Sequence, residues 1–164
     1  MNEERVDIPK LVGHHCFACG TANPKGLNLY FYRSGDAICT DVTLDRNHEG
    51  WENIAHGGII STLLDETMSW AIIFFKRIFF VTRKMEVKYL KPVLIGAPLT
   101  VTGKITDDSA SPKIKATADI RDDQGNLLVR GTAEFVELPH ERLSMVPEGL
   151  KKDMNLLFER LSSL

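Results

Sequence analysis

The sequence predicts an α+β fold in which an antiparallel β-sheet wraps around one long central helix. Two observations carry this. An apolar run that opens at Gly57-Gly58 and continues to Phe75 has the length of a buried helix rather than a strand. The segments on either side alternate apolar and polar residues and are bounded by Gly, Pro and Asp clusters, the mark of strands. Two strands precede the helix and four follow it. Strands grouped in this way, rather than alternating with helices, indicate α+β. The helix is apolar on most sides, so the sheet must enclose it.

Taken in order, residues 1–26 are punctuated by Pro9, Gly13, Gly20, Pro24 and Gly26 and read as an irregular N-terminal arm. Leu27 to Tyr32 reads as a strand, Ser34-Gly35-Asp36 as a turn, and Ala37 to Leu44 as the second strand of a hairpin. Residues 45–55 form a loop carrying Trp51. The helix spans roughly 57–75, with Lys76 and Arg77 placed to complement its negative end. Strands follow over 78–90, 99–106, 114–121 and 127–138, the last two joined by the turn at Asp122 to Asn126. Residues 27–138 form the main domain. Residues 139–164 end in an amphipathic helix, with Leu150, Met154, Leu157 and Leu161 at helical spacing.

The 164 residues suit one domain with a substantial core. A net charge of −2 argues against a nucleic-acid or membrane-surface protein. The start MNEERVDIPK has no apolar core of a secretory signal, and the apolar stretch from Trp70 to Phe75 is too short to span a bilayer. Three cysteines, an odd number, do not suggest a disulfide framework. The expectation is a cytoplasmic protein with reduced thiols.

The clue to function is a carboxylate in an apolar helix. Burying one is costly unless its charge is paired or used. Asp65 lies too far into the helix to be an N-cap. Its neighbours one turn away include Ser61 and Ser69, and the three make a narrow polar stripe that suits a cleft or an interface. At the helix start, Gly57 and Gly58 expose backbone N–H groups with no intrahelical partner, a ready site for a developing oxyanion. Gly57 and Asp65 are separated by roughly 12 Å along the axis at 1.5 Å per residue. Groups acting on one carbonyl must lie within about 3–3.5 Å of it, so one helix cannot supply both. Two antiparallel helices can, across a two-fold axis.

These residues resemble the hotdog-fold acyl-CoA thioesterases, in the clade of the phenylacetyl-CoA-type and human thioesterase-superfamily proteins. The resemblance rests on Gly50-Trp51 with His56-Gly57-Gly58, on Leu63-Leu64-Asp65-Glu66, and on Tyr89 with Lys91-Pro92. Cys16-Phe17-Ala18-Cys19-Gly20 with Asn23-Pro24 and Gly26-Leu27 matches the N-terminal motif of one branch. The resemblance covers residues of about 14–138. It implies hydrolysis of an acyl-CoA thioester by a homodimer with one continuous sheet, with a homotetramer as a further option. CoA belongs to the substrate, and no cofactor is implied.

Carried over, the Gly57 N–H would polarise the thioester carbonyl and His56 would shape that turn. Asp65 of the other chain would be nucleophile or general base, and Thr82 would position water or the carboxylate. Gly58, Asn53, Trp51 and Ser61 would line the substrate path. Arg83 and Lys84 are the cations chosen for the CoA phosphates. Relatives often carry Pro-Gly where this chain has Glu52-Asn53, and some carry Asn where it has Gly50. The alternative is a hotdog module that binds acyl-CoA without hydrolysing it.

His14, His15, Cys16 and Cys19 have half the donors of a zinc site. No second pair follows and Cys39 stands alone in a strand, so a site would need a distant ligand. The expectation is a knuckle-like loop that packs near the active site, and no metal. Glu66 is read as structural.

Overall fold

A computed structural model describes residues 4–164. Nine strands and two helices follow one another as β1 (Arg5–Asp7), β2 (Tyr32–Ser34), β3 (Ala37–Thr43), β4 (Glu49–Trp51), β5 (Ile54–Ala55), α1 (Gly57–Lys76), β6 (Phe80–Tyr89), β7 (Pro98–Asp107), β8 (Lys113–Asp122), β9 (Leu127–Glu137) and α2 (Glu148–Leu161). Seven strands form one antiparallel sheet in the order β1-β2-β3-β7-β8-β9-β6. β4 and β5 form a separate short ribbon that leads into α1.

The sheet curves around α1, which lies against β3, β7, β8 and β9. Ile60, Leu63, Leu64, Met68, Ala71 and Ile72 of α1 are all buried, and Val101, Ala118, Ile120, Val129 and Phe135 meet them from the sheet. Two glycines permit the close approach. A Cβ on Gly103 of β7 would lie 2.8 Å from the Thr67 carbonyl oxygen, and one on Gly131 of β9 would lie 3.1 Å from Leu64 Cδ1. The 20-residue α1 is longer than the apolar stretch read from the sequence, and by length and composition alone it could cross a membrane. Here it is the core helix of the sheet.

His56 caps α1 at its start, its Nδ1 accepting from the Gly58 N–H at 2.9 Å. Arg77 closes it in a left-handed conformation, its N–H donating to the Ile72 and Ile73 carbonyls. α2 docks through Leu157 and Leu161, and Phe158 meets the Phe79 ring edge-on at 5.8 Å between centroids.

Three local expectations differ from the structure. Residues 5–7, within the stretch read as irregular, form an edge strand. Residues 49–55, read as loop, include the β4–β5 ribbon. Leu27 to Phe31 is not part of the sheet ladder. The Leu27 and Leu29 N–H groups donate instead to the carbonyls of Phe17 and Ala18, so this segment pairs with the cysteine loop.

Candidate active site

Asp65 sits at the middle of α1, half-buried, between the half-buried Ser61 and Ser69. Its Oδ1 accepts a 2.9 Å hydrogen bond from the Thr82 hydroxyl on β6. Its second oxygen takes no hydrogen bond from the described residues. Burial raises the Asp65 pKa, and the Thr82 bond acts against that rise. The result is a carboxylate held in one orientation with a free oxygen.

A bulge makes this contact possible. The register between β6 and β9 shifts between Thr82 and Lys84. Strict alternation would put Thr82 and Met85 on opposite faces, but the extra residue brings Thr82, Met85, Val87 and Tyr89 all toward α1. Tyr89 closes the other end of the site. Its hydroxyl donates to the Gly57 carbonyl at 2.9 Å and lies 3.0 Å from Ser61 Oγ. The first turn of α1 is thereby tied to the end of β6. Tyr89 appears in the sequence motif but not among the expected site residues. Seven residues separate it from Thr82, and alternation alone sends the two to different faces.

At the helix start the two glycines divide their duties. The Gly58 N–H is spent on His56, while the Gly57 N–H donates to no group among the described residues. Gly57 therefore keeps the free N–H of the pair, at the end of α1 where an anion is favoured. Gly50 packs against His56, where a Cβ would lie 3.0 Å from the His56 Cα, so a larger residue there would push the cap aside.

The remaining expected residues lie around this centre at different distances. Ser61 is in the site through Tyr89. Asn53 takes a positive φ of 62° at the tip of the β4–β5 ribbon, and its carbonyl accepts from the Ile95 N–H. Trp51, on the same ribbon, is 82% exposed. Arg83 is the bulged residue and turns toward Glu134, with Nε 3.9 Å from Oε1. Lys84 borders a groove on the outer face of the sheet with Glu86, Lys115 and Glu134. Within a single chain neither Arg83 nor Lys84 is brought to Asp65.

Glu66 points elsewhere. Successive helical residues diverge by about 100°, so Asp65 faces β6 while Glu66 faces the N-terminal arm. Its Oε1 accepts from Trp70 Nε1 at 3.1 Å and lies 3.9 Å from Cys16 Sγ. Burial pushes Glu66 up to about 7.

The family model described as thioesterase superfamily matches residues 52–128. No curated protein matches the chain. Among solved structures, a thioesterase superfamily protein is similar at 24% identity and a TM-score of 0.70, over 79% of this chain and 69% of that one. Zebra fish thioesterase superfamily member 2 aligns at 20% identity and a TM-score of 0.63, over 72% of this chain and 90% of its own. A hypothetical thioesterase from Streptococcus pneumoniae, solved with coenzyme A, aligns at 20% identity and a TM-score of 0.58, over 62% and 81%. That protein was also solved as an Asp-to-Ala and as a Thr-to-Ala variant. The thioesterase-superfamily model thus spans α1 and strands that wrap it, and the solved structures share the fold of a sheet wrapped around one long helix.

Proposed function

We propose that the protein hydrolyses an acyl-CoA thioester to the free acid and CoA. The observation that carries the proposal is the Asp65 carboxylate, half-buried in the middle of α1, oriented by Thr82 and left with one free oxygen. A carboxylate so placed can attack the thioester carbonyl or take a proton from an attacking water. The Gly57 N–H, at the positive end of α1, would bind the oxyanion that forms when the carbonyl carbon becomes tetrahedral. Collapse of that intermediate expels the CoA thiolate and leaves the free acid where water attacked, or an acyl–Asp65 anhydride that a water then hydrolyses to the acid.

Asp65 and Gly57 lie eight residues apart on one helix, too far to serve one carbonyl. The reading therefore includes a second copy, whose α1 runs antiparallel and supplies the complementary group. Coenzyme A bound to the Streptococcus pneumoniae relative supports an acyl-CoA ligand. Arg83 and Lys84 remain candidates for its phosphates, from a neighbouring copy rather than from the chain that supplies Asp65. The hydrolysis asks for no cofactor. The three unpaired thiols fit a reducing, cytoplasmic setting.

Thiol release from a panel of short, long and aryl acyl-CoAs tests the proposal. Asp65→Asn keeps the shape of the side chain and loses the charge. Turnover in the wild type and its near-complete loss in Asp65→Asn are expected. An active Asp65→Asn protein would sink the assignment. Acyl-CoA binding with no turnover on any substrate would instead support a module that binds without hydrolysing.

A further inference from the structure

Away from Asp65, on the opposite flank of α1, the N-terminal arm closes over Glu66. Sγ of Cys16, Sγ of Cys19 and a carboxylate oxygen of Glu66 all lie within 4.8 Å of one another. We propose that Cys16, Cys19 and Glu66 form a binding site for a divalent, thiophilic cation such as Zn²⁺, which staples the N-terminal arm to α1.

The distances suit a tetrahedral ion. Bonds of about 2.3 Å to sulfur and about 2.1 Å to oxygen place two sulfurs about 3.8 Å apart and a sulfur and an oxygen about 3.6 Å apart. Cys16 Sγ and Glu66 Oε1 are already at 3.9 Å. The widest pair has to close by no more than about 1 Å, which a rotation about χ1 supplies.

The loop is built as a knuckle. The Gly20 N–H donates to the Cys16 carbonyl at 2.9 Å, and the Ala22 N–H to the His14 carbonyl at 3.0 Å, which closes the turn that carries both cysteines. The turn is so tight that a Cβ on Gly20 would lie 2.5 Å from the Cys16 backbone and from the His14 carbonyl.

The third donor is oriented as well. Trp70 Nε1–H holds the Glu66 carboxylate, and Trp70 is itself buried and stacked on Phe31 at 4.9 Å between ring centroids. Metal-binding carboxylates are commonly fixed by such outer hydrogen bonds.

Lys10 fixes the other side of the loop. Lys10 is buried, and its ammonium donates only to neutral oxygens, those of Cys19, Asn28 and Leu29. It also lies 3.8 Å from the centroid of the Tyr30 ring, so Lys10 ties the cysteine loop to the segment before β2. Cys16, Cys19 and Glu66 line one side of a mostly apolar cavity of about 160 Å³, which His14, Ile73, Met154 and Leu157 also border. The sequence left such a site in need of a distant ligand, and Glu66 comes beside the two cysteines only once α1 is set beside the arm.

The test uses the full chain, purified under reducing conditions and loaded with Zn²⁺ or Co²⁺ alone. One metal per chain and a thiolate-to-cobalt charge-transfer band are expected. Cys16→Ser should abolish the band, while Cys39→Ser and Asp65→Asn should leave it intact. Trp70→Phe should weaken zinc affinity by about 10-fold or more. Zinc should also protect Cys16 from alkylation by iodoacetamide. Absence of the charge-transfer band in the wild type would overturn the proposal without recourse to any variant. Equal metal uptake by Cys16→Ser would do the same.

Discussion

Thr82 and Asp65 together make a prediction about pH. Asp65 must be ionised to act as nucleophile or base, and burial raises its pKa while the Thr82 hydroxyl pulls it down. The acid limb of kcat/KM should therefore lie above the range of an ordinary carboxylate. Removing the hydroxyl removes the one influence that lowers the pKa. In Thr82→Val the acid limb should move to higher pH, with kcat reduced on the plateau. A pH–rate profile superimposable on the wild type would show that the Thr82 bond does not tune Asp65. His56 offers a second prediction. Its imidazole caps α1 at Gly58, and losing a cap costs about 1 kcal/mol. His56→Ala should lose about that much in urea unfolding, and His56→Asn, which retains a capping oxygen, should recover most of it.

The packing of α1 on the sheet is decided at two glycines. At Gly103 the obstacle to a side chain is the α1 backbone, with the Thr67 carbonyl oxygen 2.8 Å from a Cβ. Backbone cannot rotate aside, so Gly103→Ala should cost about 1–3 kcal/mol. At Gly131 the obstacle is a Leu64 side chain, which can move, and Gly131→Ala should cost less. Urea midpoints for the two variants compare them directly. Neither glycine stands out in the sequence, because what each must avoid comes from another element. The long helix and the strands after it were legible, since each is a sustained pattern of one period. Residues 5–7 and 49–55 were not, because two or three residues carry no period. Leu27 to Phe31 does alternate, yet the Leu27 and Leu29 N–H groups are taken by the cysteine loop. Asp65, Gly57 and Thr82 could be named from the motif. The bulge at Arg83, which lets Thr82 and Tyr89 share a face, could not, since it interrupts the very alternation used to read the strand.

For the whole molecule the question is what completes the site. β6 lies at the edge of the seven-stranded sheet, ten residues long, with Val81, Tyr89 and Leu90 about half exposed. A long edge bearing apolar residues is ready to pair. Asp65 and the first turn of α1 both face β6, through Thr82 and Tyr89. A two-fold axis beside β6 would extend the sheet and set Asp65 of each copy against Gly57 of the other. Complementation tests this geometry. Asp65→Asn removes the carboxylate. Gly57→Pro removes the oxyanion N–H and suits the backbone, since proline is favoured at the first helical position and His56 already has the extended φ of −62° and ψ of 133° that a residue before proline requires. Each variant alone should be inactive. Coexpressed in equal amounts, half of the dimers are mixed, and each mixed dimer holds one site with both groups intact. The mixture should regain about a quarter of wild-type activity. No recovery, despite demonstrated mixed dimers, would place Asp65 and its oxyanion donor within one chain. The donor would then have to be a group other than Gly57, because eight residues of helix keep these two apart.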